Sequence, residues 1–330
     1  MLSFIIIGRN EGWKLTKCLK SVLDTIAFNR LYDAEIIYVD SKSTDNSIEL
    51  AKAFKEVKIF LITGEFNAAI ARNVGAKEAN GDILFFIDGD MEIEKEFLCH
   101  AIINNKLKYD CVTGHLDDYL YDHNDNFLGI NTRTYKHKIP EKEQILKTNG
   151  GIFLIKKEVW DAVSGMRTKY RKGQDIDLSI RLAKYGIYAI RIPFLITKHH
   201  TVEYINEKRM WKDLIHFHIF FPSMMLRDHI MNPIVWVNEI SYYYTAFLFL
   251  ALIISVMISI KWIIIFFAML YFSFFVRSVV KTTINASISK SKAIYLTERS
   301  ILKFLNDLLF WVGFLFFHPN AKKIEYTSVN

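Results

Sequence analysis

Residues Asp82–Ile93 read DILFFIDGDMEI, an apolar run of strand length that ends on two carboxylates, Asp88 and Asp90, with Gly89 between them. Burying unpaired charge is costly, so this pair either forms a polar turn or meets something positive. The runs LSFIII, AEIIYVD and VKIFLI share its length and its lack of alternation. Stretches with helical spacing separate them, such as Leu15, Leu19, Val22 and Leu23, then Ile48, Leu50, Ala51 and Phe54. Strands that are apolar throughout and separated by helices predict a parallel sheet covered on both faces. Such sheets bind ligands beyond the carboxyl ends of their strands. That rule places Asn10, Glu11, Asp40, Gly64 and the Asp88/Asp90 pair along one edge.

Further along, YDCVTGHL and TNGGIFLI predict two more strands. Gly150 and Gly151 open the second and allow close backbone approach. The polar and aromatic stretch 119–144 predicts a loop over the crevice. QDIDLSIRLAKYG predicts a helix with Ile176, Ile180 and Ala183 on one face and Gly186 at a left-handed C-terminal cap.

Of the 330 residues 51% are hydrophobic and 23% charged, enough for a sizeable core, but the apolar content is uneven. Residues 1–203 read as a soluble α/β domain. Residues 204–232 mix Trp, Phe and Met with charges and predict an amphipathic interfacial helix region. Residues 233–330 predict a membrane domain with two to three apolar helices. Ser241–Ile260 and Trp262–Val280 each have the length to cross a bilayer, with Lys261 and Trp262 at the far interface. The run 301–317 carries Lys303, Asn306 and Asp307, and reads as a third span or as a helix lying in the interface.

The formal net charge is +7. Arg277, Lys281, Lys290, Lys292, Arg299 and Lys303 face only Glu298, which predicts a cytoplasmic juxtamembrane loop beside anionic lipid. No basic stripe with interleaved aromatics marks the soluble part, so no nucleic-acid partner is expected. Three scattered cysteines fit a reducing compartment and argue against a zinc site or a disulfide scaffold. MLSFIIIGRNEG lacks a basic n-region, and its apolar run is short for a signal peptide. These features predict a catalytic domain on the cytosolic face of the inner (cytoplasmic) membrane.

Two carboxylates at a ligand edge suit a hard divalent cation that bridges to phosphate oxygens. Asp40 ends a strand and is not needed as a helix cap, leaving it to bond a base or ribose, while Ser43, Thr44 and Asp45 read as the cap of the next helix. Arg72 is placed to meet either an anionic phosphate or the acidic edge of the sheet. Asp175 begins a helix, where the macrodipole favours its anion; there it can accept a proton from an attacking hydroxyl. Asp177 and Arg181 are spaced as a helix-surface ion pair. His199 and His200 close an apolar strand and serve either as structural residues or as cation ligands.

FIIIGRNEGWKLTKCLKSVL, IYVDSKSTDNS, ARNVGAKEANGDILFFIDGD and GGIFLIKKEVWDAVSGM…GQDIDLSIRL, in this order, resemble the inverting family-two nucleotide-sugar glycosyltransferases of GT-A fold. The resemblance covers about residues 1–200 and implies a Rossmann-like, mainly parallel sheet. It implies that Asp40 contacts the nucleotide and that Asp88 and Asp90 hold Mg²⁺ or Mn²⁺ on the diphosphate. It also implies that Asp175 is the catalytic base and that a histidine after its helix completes the metal site. Asn10, Glu11 and Arg72 join Asp40 and Asp88 as the expected nucleotide-sugar-binding set. Asp90, beyond the Gly89 bend, is the expected direct metal ligand; Asp88 is expected on the ribose or on a metal-bound water.

The implied partners are a UDP- or GDP-sugar, membrane lipid and a lipid-linked acceptor of cell-envelope glycan synthesis. A polyprenyl-phosphate sugar synthase and a non-catalytic membrane scaffold are the alternatives. The chain departs from the family pattern in having Gln174 where Glu is usual, and Asp40-Ser41-Lys42 in the nucleotide block. It also lacks the Q-x-x-R-W motif of processive synthases, since NEKRM precedes Trp211. Long-chain polymer synthesis is therefore not expected.

Overall fold

The computed structural model describes residues 1–122, 124–132, 134–135, 138–202, 207–284 and 292–329. The chain forms two compact units, Met1–Glu203 with Asn320–Asn330, and Tyr204–Pro319. The first unit opens with β1 (Leu2–Gly8), α1 (Trp13–Asn29), β2 (Glu35–Asp40), α2 (Ser47–Lys52), β3 (Val57–Ile62), α3 (Ala68–Glu78) and β4 (Ile83–Asp88). There follow β5 (Met91–Ile93), α4 (Phe97–Ala101), β6 (Ile102–Ile103), β7 (Lys106–Leu107), β8 (Cys111–Tyr121), β9 (Phe127–Asn131) and β10 (Gln144–Leu146). β11 (Phe153–Lys156), α5 (Lys157–Ala162), α6 (Gln174–Ala183) and β12 (Ala189–Val202) complete its main body.

β3, β2, β1 and β4 lie side by side in parallel. The absence of alternation in their sequences has a direct cause, because both faces are buried. Phe4 and Ile6 of β1 pack with Leu15, Leu19 and Val22 of α1, whereas Ile5 and Ile7 pack with Ala71 and Val74 of α3. Each such side chain contributes roughly 1.5–3 kcal/mol when fully buried. Beyond β4 the sheet turns mixed. β11 runs antiparallel to β4 and to β8, and β12 runs parallel to β8 while carrying β5 and β10 antiparallel.

Two local expectations change. The stretch 119–144 is not wholly loop: β8 reaches Tyr121, and β9 folds back on it through a turn in which Asp122 Oδ1 accepts from the backbone N–H of Asn124 and Asn126. His123, Arg133, Lys136 and His137, within that stretch, lie outside the described residues. In α6 the core-facing residues are Leu178, Ile180 and Leu182, and Ile176 is exposed. Gly186 does take the left-handed conformation, at φ +72°.

The largest departure concerns the C-terminal segment, which the hydropathy pattern leaves with the membrane portion. Its strand β13 (Tyr326–Val329) pairs antiparallel with β3 and extends the sheet of the first unit. Thr63 N–H donates to Glu325 O at 2.9 Å, Lys322 Nζ meets Glu65 at 2.7 Å, and Tyr326 Oη donates to Glu78 at 2.5 Å. An unpaired edge strand leaves a row of backbone groups open, and four residues of tail satisfy the one on β3.

The second unit contains α7 (Glu207–Ile215), a 3-10 turn at His218–Phe220, α8 (Phe221–Asp228), α9 (Pro233–Ile258), α10 (Lys261–Ile284) and α11 (Lys292–Phe316). Ile240–Ile258 and Lys261–Lys281 are long and apolar enough to cross a membrane. The amphipathic region expected over 204–232 is broken into two helices rather than one, and residues 204–206 lie outside the described residues. Its second half is not free to enter lipid. Phe221, Met224, Met225 and Leu226 are buried, Phe221 packs on Phe317, and Arg227 donates to the carbonyls of Phe314 and Phe317 beyond and within the last turn of α11. Of the expected basic loop, residues 285–291 lie outside the described residues.

Candidate active site

The carboxyl ends of β1, β2 and β4 meet the start of α6 across the strap Asn149–Gly151. Asp88 ends β4, and Gly89 turns the chain there, its N–H donating to Ile7 O at 2.8 Å. Arg72, buried on α3, donates through Nη2 to Asp88 Oδ1 at 2.5 Å and to Gly151 O at 3.1 Å. Of its two sequence readings, Arg72 therefore meets the sheet's acidic edge. A side chain at Gly151 has no room, because its Cβ would lie 2.6 Å from Asp88 Oδ2 and 2.8 Å from Arg72 Nη2. Burial pushes the Asp88 carboxyl above its ordinary range in spite of the Arg72 guanidinium, and Asp90 adds to the rise.

Asp90 lies beyond the bend, and its Oδ2 is 3.2 Å from His199 Nε2. The other ring nitrogen of His199 is 2.7 Å from Asp118 Oδ1. Burial alone would lower this imidazole, but hydrogen bonds to Asp118 and Asp90 raise it to about 10. His200, the next residue of β12, points to the opposite face, as strand geometry demands. Its Nδ1 lies 3.0 Å from Tyr121 Oη and its Nε2 3.0 Å from Glu92, with the Trp13 ring beside it. Of the two rings only that of His199 reaches the Asp88/Asp90 edge; the His200 ring belongs to an aromatic cluster, while its backbone N–H donates to Asp90 O at 2.8 Å.

Glu11 completes the acidic group. Its stem lies between Gly8 and Gly89, where a Cβ on either glycine would sit 3.0 Å from Glu11 Cγ. Burial first, then Asp90, pushes its carboxyl up to about 8. The neighbouring loops are laced together: Asn10 N–H donates to Ser43 Oγ at 2.9 Å, Thr44 N–H to Asn10 Oδ1 at 2.7 Å, and Gly12 N–H to Ser47 Oγ at 3.1 Å. Asn10, exposed and at φ 59°, stands at the mouth of this edge.

Asp40 is the site residue whose placement differs most from expectation. It is completely buried, and its oxygens accept from Tyr38 Oη at 2.9 Å, Ser43 N–H at 2.8 Å and Ser43 Oγ at 2.5 Å. It organises the Ser41–Ser47 turn instead of presenting an oxygen to the crevice. The expected cap from Ser43, Thr44 and Asp45 is also absent as such: Asp45 Oδ1 accepts from Ser47 N–H at 3.0 Å, and Asn46 is the N-cap of α2 without a side-chain bond.

Asp175 sits in the first turn of α6, and Ile176 N–H donates to its Oδ1 at 2.9 Å, leaving Oδ2 without a described bond. Burial pushes its carboxyl up, and Arg72 is near enough to oppose that rise. Asp175 in turn contributes to the upward shift of Asp88, so the two groups share one field. Asp177 and Arg181 are not a surface pair. Asp177 is completely buried, holds Arg181 Nε at 2.8 Å and Arg167 Nη1 at 3.2 Å, and Arg181 Nη1 donates to Val163 O at 2.6 Å. This buried pair fastens α6 to the 163–167 segment.

Two residues with no sequence signal support Asp175. Ser179 Oγ donates to Asp175 O at 2.8 Å and accepts from Asn149 N–H at 2.9 Å. Ser179 lies one turn after Asp175, the spacing at which a serine reaches back to a carbonyl, but nothing in sequence pairs it with Asn149. The buried Asn149 Oδ1 finds no partner among the described residues.

Among the described residues no three His, Cys, Asp or Glu side chains enclose a metal ion on their own. The donor set nevertheless fits a divalent cation that draws its remaining oxygens from a substrate. A carboxylate and an imidazole converge at Asp90 and His199, beside the carboxylates of Glu11 and Asp88.

An acidic crevice at the carboxyl edge of a parallel sheet, with a carboxylate facing it from a helix start, lies where α/β folds of this kind bind their ligands. The model of glycosyl transferase family 2 matches residues 3–168, half of the chain, and the chain belongs to that family. Glycosyltransferase GlyG of Streptococcus pneumoniae is 24% identical over 216 residues, 59% of this chain and 68% of GlyG. The 4,4'-diaponeurosporenoate glycosyltransferase of Staphylococcus haemolyticus is 32% identical over 110 residues, 32% of this chain and 28% of that protein. The crystal structure of S. aureus TarS residues 1–349 shares the fold at a TM-score of 0.50 and 18% identity, over 68% of this chain and 65% of that one. The chain thus spans about two thirds of GlyG and of the TarS fragment.

Proposed function

We propose that this glycosyltransferase moves a sugar from a UDP- or GDP-sugar to a lipid-linked acceptor in one inverting displacement, at the cytosolic face of the cytoplasmic membrane. The observation that carries the reading is the convergence of Asp88 and Asp90 with Asp175 across the Gly151 strap. Asp175 Oδ2 takes the proton of the acceptor hydroxyl as that oxygen attacks the anomeric carbon opposite the leaving diphosphate. Ser179 and Asn149 hold the backbone of Asp175 in place. The laced loops of Asn10 and Ser41–Ser47, with Asp40 as their internal post, receive the nucleoside. Asp90 and His199 would hold Mg²⁺ or Mn²⁺, with Asp88 behind them. Such an ion supplies charge neutralisation to the diphosphate.

Membrane placement is supported by the two apolar helices, and it favours an acceptor that itself resides in lipid, as cell-envelope glycan precursors do. Asp90→Ala should abolish transfer and Asp175→Asn should lower it by ~10²–10⁴, both with folding intact. Calorimetry should show nucleoside diphosphate binding lost in the first and kept in the second. Normal turnover in either variant would sink the assignment, and full activity in EDTA would remove the metal. Intact nucleotide binding with no transfer from any donor would leave the scaffold reading standing.

A further inference from the structure

The strand β13 constrains how the helical unit meets a membrane. Val202 ends the last strand before that unit, and Tyr326–Val329, after it, pair with β3 of the same sheet. The return is anchored at several points. Besides the ladder, Lys322 N–H donates to Thr168 Oγ1 at 2.8 Å and Thr168 Oγ1 to Lys322 O at 2.9 Å. A chain that leaves a folded unit and re-enters it must cross any intervening bilayer an even number of times. Two helices among the described residues have the length and composition to cross, and Ser259 and Ile260 alone separate them. They account for one crossing and one return, and leave no third crossing for α11.

The side chains of α11 point to a different place in the lipid. Ile301, Phe304, Leu308, Val312 and Leu315 are exposed at intervals of three and four residues, one continuous apolar stripe. Asp307 is turned the other way: buried, it accepts from Thr245 Oγ1 at 2.8 Å, Lys303 Nζ at 2.9 Å and Tyr271 Oη at 3.3 Å. A helix on a water-facing surface has the reverse arrangement. The ring partners of α11 on α9 lie between Tyr243 and Phe249, in the middle of α9 and in the first half of its apolar span Ile240–Ile258. Glu298 and Arg299 in its first half fit headgroup depth, where a long cationic side chain reaches water.

We infer that α9 and α10 cross the bilayer as a hairpin, and that α11 lies in the leaflet on the catalytic unit's side with its Ile301–Leu315 stripe against acyl chains. This rests on the reading of the helical unit as membrane-embedded. The test uses the full chain in sealed vesicles of single orientation and a membrane-impermeant maleimide. Native Cys99, exposed while Cys18 and Cys111 are buried, reports the face of the catalytic unit. In a Cys99→Ser background, Lys323→Cys probes the tail at a fully exposed side chain, and Ser259→Cys probes the turn between α9 and α10.

The expected result is labelling of Lys323→Cys from the same face as Cys99, and of Ser259→Cys from the opposite face. Labelling of Lys323→Cys from the face opposite Cys99 overturns the inference and leaves the membrane reading intact. Release of the chain by alkaline carbonate, or labelling of Ser259→Cys from the Cys99 face, overturns the membrane reading and this inference with it. A fluorophore on Leu308→Cys should be quenched more by lipids labelled near the headgroup than by lipids labelled at the chain ends. The reverse order would place α11 across the bilayer and overturn the inference.

Discussion

The two ends of the parallel strands treat the same residue type in opposite ways. At the amino end, Glu35 opens β2; it accepts from Ser3 Oγ at 2.6 Å, Asn80 N–H at 2.6 Å and Lys58 Nζ at 2.8 Å. Burial pulls this carboxyl upward, yet Lys58, Ser3 and Asn80 bring it down to about 2. At the carboxyl end, Glu11 meets Asp90 and Asp88 and is pushed up to about 8. A carboxylate whose lone pairs are filled locally stabilises the fold, and one whose neighbours are carboxylates stores unfavourable charge. One end of the sheet neutralises its carboxylate within the fold, while the other sets carboxylates against one another.

Substitutions at four positions can break or sharpen that contrast. Asp175→Asn acts at the reactive end and should lower kcat by ~10²–10⁴ in a transfer assay, with the melting temperature and donor KM unchanged. Glu35→Ala should do the reverse, costing about 2–3 kcal/mol of stability by orphaning bonds to a charged group, with activity per folded molecule retained. The pH dependence of wild-type melting carries the same signature. A depressed folded-state pKa contributes stability above the unfolded value near 4.5, and that contribution disappears as pH falls toward 2. Glu35→Gln should flatten the melting curve in that window.

Glu11 has the opposite sign. Its folded state holds a proton that the unfolded state releases near 4.5, so its unfavourable contribution grows as pH rises from there to about 8. In the presence of a chelator, Glu11→Gln should remove that decline and raise the melting temperature at pH 8 relative to wild type. A lower value would contradict the charge surplus. The smallest effect belongs to Ser179→Ala, which loses two neutral hydrogen bonds of about 1 kcal/mol each. It should reduce kcat several-fold without altering KM, and Ser179→Thr should restore it.

How much of this was legible depended on whether a residue's role is local. The strands β1–β4, the edge they define and the start of α6 follow from periodicity, since burial on both faces writes itself into every position of a run. The two candidate histidines were indistinguishable because alternation assigns them opposite faces without saying which face holds Asp90. Asp177 and Arg181 have the spacing of a surface pair, and only the packing of the 163–167 segment over them makes the pair a buried one. The burial of Asp40 was hidden for a similar reason: the hydroxyls of Tyr38 and Ser43 that enclose it carry no signal in sequence. β13 had no signal at all, being four residues long and half polar, with its pairing set by contacts as distant as Lys322 to Glu65, 257 residues apart.

That last contact has a consequence for the order in which the protein is made. β1–β4 emerge from the ribosome early and can assemble at once, but the outer side of β3 stays open until every helix of the second unit has been synthesised. Through that interval the nascent unit carries a bare strand edge, which invites pairing with other chains. Slow insertion of α9 and α10 would prolong the exposure. Amino-terminal fragments that stop before residue 320 are therefore expected to self-associate even though their crevice is complete.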